Sequence, residues 1–245
     1  MRTRLLAAIV VSFLFSGCGT AADNELLLQG AKQLDEGQTE QAALSLSSGL
    51  EQAQKEGAPE KGLGRYRLLL TRCYIVQGKI DEADRESSRA FESAQKSYGK
   101  ESLDLVPYLL ARSRVAYRKG DFAQSRNRAL EALSIQEKSQ GKESKDQIDT
   151  IDLIVSAACA DDRCADTEPY LERQLALRKK YLGEDHPHVA SSLCLLGELA
   201  EKKNQLEEAE KYYSEALAIR EKSAKELVES TRKNLVRLHL KKLDE

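Results

Sequence analysis

Leu175–Lys222 reads LALRKKYLGEDHPHVASSLCLLGELAEKKNQLEEAEKYYSEALAIREK, and its helical opening returns at its end. Leu175, Arg178 and Lys180 recur as Leu217, Arg220 and Lys222, 42 residues later, and the same period reaches back through Leu133 to Phe91. A second ladder consists of Gly37, Gly78, Gly120, Asp162 and Asn204, spaced by 41 and then by 42 residues. Five residues after each rung stands a small side chain: Ala42, Ala83, Ser125, Thr167 or Ala209. Seven further on come Gly49, Ala90, Ala132, Gln174 and Ala216, of which only Gln174 is large. Small-residue ladders in register with a turn ladder predict a tandem array of helical hairpins. Neither helix of a hairpin can bury its apolar stripe alone, and small residues let the helices approach closely. Gly, Asp or Asn at the turn tolerates the left-handed backbone that stops a helix.

This arrangement resembles the tetratricopeptide repeat. The strings YLGEDHP (Tyr181–Pro187) and EEAEKYYSEALAIREK (Glu207–Lys222) are similar to the kinesin-light-chain-like subtype, and the likeness spans about Glu25–Lys222. It implies an all-α fold, a right-handed superhelical solenoid of helix–turn–helix units. Against the ordinary repeat of about 34 residues, the longer period adds roughly one turn to each helix. Five hairpins are expected over residues 24–223, each touching only its neighbours. Residues 224–245, with Leu227, Leu235, Leu238 and Leu243 among many charges, form a capping helix with one polar face.

The chain begins with a targeting pattern. Arg2 and Arg4 precede an apolar core, Leu5–Phe15, that is too short to span a membrane and fits a secretory signal. Phe15-Ser16-Gly17-Cys18 resembles a bacterial lipobox, which implies a signal over residues 1–17, lipid on Cys18 and a tether over 18–23. Phe15 departs from the usual leucine. Cleavage near Ala21 is the alternative, and would leave a secreted or periplasmic soluble protein.

Composition agrees with a helical domain: aromatics are 5% of the chain, prolines number four, and no stretch alternates in the manner of a strand. Without Arg2 and Arg4 the 38 basic residues become 36 against 40 acids, a charge of −4. A mild acidic balance without a basic patch interleaved with aromatics excludes nucleic acid as the expected partner. No phosphate loop, nucleophile elbow or metal-spaced histidine pair is present, so neither an enzyme nor a cofactor is expected. His186-Pro187-His188 reads as a helix-start motif. Cys73 and Cys194 fall on apolar helical stretches and pack as small hydrophobes. Cys159 and Cys164 flank the fourth turn, where either a disulfide or packing without a bond is possible, while two thiols are too few for structural zinc.

Two features colour the hairpins. Gly57-Ala58-Pro59 followed by Gly62 and Gly64 reads as the loosest connection, and the fourth hairpin is degenerate, with Asp162 and Gln174 in place of smaller residues. A binding face would be the concave one, lined by the first helix of each hairpin. Positions ten, six and three before each turn share one helical face. They give an apolar end (Leu27, Ala31, Leu34), a basic middle (Leu68, Arg72, Leu110, Arg114, Tyr117) and an acidic end (Glu198, Glu201). Glu198 and Glu201 are expected near exposed lysines. The related repeats carry a pair of asparagines in the first helix; here Leu68-Leu69, Leu110-Ala111 and Cys194-Leu195 stand instead. That departure favours a ligand with an apolar segment; packing of Leu68 and Leu110 against the neighbouring second helix is the other reading. Gly19 after Cys18 resembles lipoproteins sent to the outer membrane, so the expectation is a cell-envelope lipoprotein facing the periplasm, whose solenoid binds a protein or peptide. A pilotin-like assembly factor and a structural spacer are the alternatives.

Overall fold

The computed structural model describes residues 21–223 and 231–237, and they contain helices and turns but no strand. Cys18, the signal segment and parts of the expected cap lie outside the described residues. Within residues 21–223 the helices are α1 (Ala21–Asp35), α2 (Thr39–Lys55), α3 (Glu60–Gln77), α4 (Ile80–Tyr98), α5 (Val106–Arg118), α6 (Phe122–Gln140), α7 (Gln147–Ala160), α8 (Glu168–Leu182), α9 (Pro187–Lys202) and α10 (Leu206–Ser223). Short 3₁₀ turns precede α5 and α8, at Leu103–Leu105 and Cys164–Thr167. Residues 231–237 are helical as well. The chain divides into two compact units, Met1–Ile135 and Gln136–Glu245.

All five rungs of the turn ladder are left-handed: φ is 79° at Gly37, 74° at Gly78, 81° at Gly120, 54° at Asp162 and 61° at Asn204. At each, the amide one residue beyond reaches back five residues to a carbonyl of the ending helix. The bonds are Gln38 to Gln33, Lys79 to Tyr74, Asp121 to Ala116, Arg163 to Ala158 and Gln205 to Ala200, at 2.8–2.9 Å. This Schellman pattern satisfies carbonyls that a helix end would otherwise orphan. Thr39 is the first residue of α2, and Gln38 stands at the N-cap position without a side-chain bond.

A further ladder ends the second helices. Gly57, Gly99, Gly141 and Gly183 recur every 42 residues with φ of 71°, 82°, 74° and 93°. Gly99 and Gly183 have ψ of 170° and 154°, a region open essentially to glycine alone. The expected loose connection at Gly62 and Gly64 is corrected: both lie inside α3, which starts right after Pro59. Gly64 is buried, and a β-carbon there would stand in ordinary contact with Ser93 at 3.4 Å, so the position is packed rather than slack.

Of the pairs seven before and nine after each turn, two set a glycine against a large side chain. The pairs are Gly30 with Leu46, Thr71 with Ser87, Ser113 with Ala129, Val155 with Leu171, and Gly197 with Tyr213, every one buried. A β-carbon on Gly30 would stand 2.4 Å from Leu46, and one on Gly197 would stand 2.7 Å from Tyr213. At these two places Leu46 and Tyr213 fit because the facing residue has no side chain, whereas Leu171 is in register with Val155. Around these contacts the first unit has a core of Leu27, Leu34, Leu46, Tyr66, Leu69 and Cys73, among others. In the second, Val189, Leu193, Leu206, Tyr213 and Ile219 form one, with Leu235 from residues 231–237 packed against it.

Candidate partner-binding face

In the first unit α3 lies beside both α1 and α5, so the three first helices share a face. The apolar zone expected at its beginning is core instead: Leu27, Ala31 and Leu34 are 4%, 7% and 8% exposed and pack with Leu46, Tyr66 and Leu69. The central positions remain reachable. Leu68 and Arg72 on α3 are half-buried, as are Arg114 and Tyr117 on α5, while Leu110 is nearly closed off at 9%. The Tyr117 ring tilts against Phe122 across the third turn, with centroids 5.3 Å apart.

Arg72 differs from its neighbours. Arg67 is tied to Glu60 at 3.4 Å and to Ser93 at 3.1 Å. Arg112 bonds Ser88 and faces Asp84 at 3.6 Å. Among the described residues, no hydrogen bond or ion pair holds the Arg72 guanidinium. Burial pulls its pKa below the ordinary arginine value, and Asp35 only partly opposes this. A cation desolvated without a partner favours an arriving anion.

The second unit is built differently. Asp152, ten before the fourth turn, stands where the other hairpins have leucine or cysteine. It receives Nη2 of Arg178 at 2.6 and 2.8 Å and Nε2 of Gln174 at 2.7 Å. Arg178 Nη1 also donates to Ser192 Oγ at 2.7 Å, and Ser192 donates to Gln174 Oε1 at 2.9 Å. The four side chains close a ring across α7, α8 and α9. Gln174, the large residue in a small-residue ladder, is thereby explained: it is 1% exposed and bonded at both ends of its amide. The ring belongs to a recurring device. Gln136, Arg178 and Arg220, 42 residues apart and all buried, each bond a hydroxyl further on: Thr150 at 2.9 Å, Ser192, and Thr231. Residues 231–237 thus meet α10 through Thr231, as the first helix of a following hairpin would.

The two expected acidic residues separate. Glu198 is exposed. Glu201, followed by the exposed Lys202 and Lys203, is bonded elsewhere: both its oxygens face Arg237, at 3.2 and 2.7 Å, and Tyr213 donates to it at 3.2 Å. The sequence separation of 36 hid this contact, since it is made only once residues 231–237 have folded back.

The cysteines resolve in two ways. Cys73 and Cys194 are free and buried. Cys159 and Cys164 form a disulfide across the fourth turn. His186 caps α9, its Nδ1 accepting from the His188 amide at 3.2 Å, with Pro187 opening the helix. Among the described residues, no group of histidine, cysteine and carboxylate side chains is arranged to hold a metal.

Residues 147–222 match the family model for the tetratricopeptide repeat. No curated protein matches the sequence. Among solved structures, BtubC (BKLC) from P. vanneervenii is similar at 20% identity and TM-score 0.67, over 82% of this chain and 83% of that one. A kinesin-light-chain candidate with nearly identical TPR-like repeats from Podosopora anserina gives 18% and 0.70, over 84% and 100%. Pseudomonas aeruginosa pilF gives 20% and 0.60, over 90% of each chain. The tetratricopeptide match thus covers residues 147–222, and the described helical hairpins have the fold of these kinesin-light-chain-like repeat structures.

Proposed function

We propose that the chain is a protein-binding scaffold of the cell envelope, held to a membrane by lipid on Cys18, and that its first unit captures a partner segment carrying a carboxylate beside an apolar side chain. The observation that carries the binding half is Arg72: a half-buried guanidinium without a bonded partner, on the face it shares with Leu68, Arg114 and Tyr117. Burying one leucine-sized side chain of a partner contributes about 1.5–3 kcal/mol. Arginine and tyrosine are the residue types over which interface energy concentrates. The anchor rests on the lipobox-like Ser16-Gly17-Cys18 after a short apolar core. A diacylglycerol with an amide-linked acyl chain exceeds the two signals that stable anchoring takes.

Both halves are open to one experiment. The tagged protein, expressed in a bacterium with two membranes, is labelled with radioactive palmitate, crosslinked and purified from the membrane fraction. Label on the wild type but not on Cys18→Ser, with a crosslinked partner lost on Arg72→Ala, supports the reading. Unlabelled wild-type protein sinks the anchor, and a partner retained by Arg72→Ala sinks the site.

A further inference from the structure

The fourth hairpin departs from the other four at its turn. In those, the second helix opens two residues after the left-handed one, at Thr39, Ile80, Phe122 and Leu206. The corresponding residue here is Cys164, and it opens a 3₁₀ turn; α8 starts only at Glu168. Pro169 accounts for the delay. It has no N–H to give to the Ala165 carbonyl, and its ring would crowd that oxygen if the α-helix ran on toward the turn. The segment keeps a local bond from Thr167 Oγ1 to the Cys164 carbonyl at 2.6 Å and an exposed Arg163–Asp166 pair at 3.0 Å. A surface pair of this kind contributes little.

Where the helical turn is missing, a covalent bond stands. The Cys159–Cys164 disulfide joins the last turn of α7 to the 3₁₀ turn across Asp162, a left-handed residue without glycine's freedom. Both cysteines are half-buried, so a small reductant reaches them without global unfolding. Cys159 also sits three residues before the turn, the position that Ile75 and Tyr117 hold on α3 and α5, one turn beyond the exposed Ser156.

We infer that the fourth turn is a redox-sensitive element: the disulfide supplies the order that Pro169 denies to the start of α8, and a dithiol that opens it releases residues 161–167 and exposes the Cys159 thiol. In the exchange a dithiol thiolate attacks one cysteine sulfur, and its second thiol resolves the mixed disulfide. The reductant ends as a cyclic disulfide, and the two cysteines gain two electrons and two protons. The inference is independent of any partner of the first unit.

The test is hydrogen exchange on the oxidised chain, on the chain in dithiothreitol under native conditions, and on the reoxidised chain. Reduction is expected to speed exchange at residues 161–168 by about tenfold, with α9, α10 and the first unit unchanged, and reoxidation to reverse it. Cys159→Ser/Cys164→Ser should match the reduced chain, and adding Pro169→Ala to it should restore protection by letting α8 begin earlier. A bond that yields only under denaturing conditions, or equal exchange in both states, overturns the inference by making the disulfide a static staple. Failure of Pro169→Ala to restore protection overturns the role given to proline. Should the serine variant lose helicity, the reduction series on the unaltered chain still decides.

Discussion

Two kinds of residue with positive φ punctuate the chain, and they differ in what they tolerate. The hairpin turns sit at φ of 54–81°, and Gly78 has ψ of 9°, a left-handed helical conformation. Asparagine and aspartate reach it, which is why Asn204 and Asp162 replace glycine there without loss of the back-bonded amide. The Gly99 and Gly183 positions, with ψ near 160°, exclude any β-carbon. Gly99→Ala should therefore lower stability by about 1–3 kcal/mol, while Gly78→Asn should change it by less than about 1 kcal/mol. Urea titrations compare the two, and equal losses would show that the turn ladder is as strict as the second. At the same scale, burial pushes the Cys73 thiol up to about 11, and burial also raises that of Cys194. At pH 8 about one Cys73 in a thousand is a thiolate, so alkylation in the native state should be slow. Mass mapping should find Cys73 and Cys194 labelled only after unfolding. Rapid native labelling of Cys73 would mean that α3 opens readily.

At the scale of elements, the fourth hairpin shows what a repeat ladder conveys and what it conceals. Its turn was legible from Asp162, because the period places it. Gln174 was legible only as an exception; that it is half of a joint replacement with Asp152 was not. The two are 22 residues apart and bond directly, with Arg178 on the same carboxylate, a residue that the sequence marks as a repeat position without saying what it bonds. The same holds for the Gly57–Gly183 ladder, visible in the sequence at constant spacing yet masked by the more conspicuous break at Gly57-Ala58-Pro59. The ring makes a quantitative claim. Asp152→Leu, the residue that α3 and α5 carry in that place, takes the acceptor from Arg178 Nη2 and Gln174 Nε2, both on buried residues. It should cost about 2–4 kcal/mol despite added apolar surface, less than a fully buried pair because Asp152 stays partly solvated. Adding Gln174→Ala and Arg178→Leu should recover most of the loss, since the site then resembles an apolar hairpin. Thermal unfolding of the single and triple variants measures this. A single variant as stable as the wild type would show that water replaces the aspartate.

For the molecule as a whole, the fold was legible because a tandem array writes its packing rules into the sequence once per hairpin, while a binding face is written in the exceptions. Periodicity placed Arg72, Arg114 and Tyr117 on one face. It could not say that Leu27 and Leu34 are core, because burial depends on the hairpin that follows and not on register. Nor could it show that Glu201 is spoken for by Arg237. These differences sharpen the binding expectation. If the first unit holds an acidic and apolar segment, Arg72→Ala or Tyr117→Ala should weaken it about tenfold, on the order of 1.4 kcal/mol. The loss at Arg72 should shrink with added salt only modestly, because the ion pair forms at a half-buried position, where screening is weak. Glu198→Ala, at an exposed position of the second unit, should alter association rate and salt dependence more than affinity. Glu201→Ala should act through stability instead, by freeing Arg237 and the Tyr213 hydroxyl. Titration calorimetry with the crosslinked partner, on variants whose helical circular dichroism is unchanged, separates these outcomes. A larger affinity loss for Glu198→Ala than for both Arg72→Ala and Tyr117→Ala would move the partner to the second unit and leave Arg72 as a desolvated charge without a ligand.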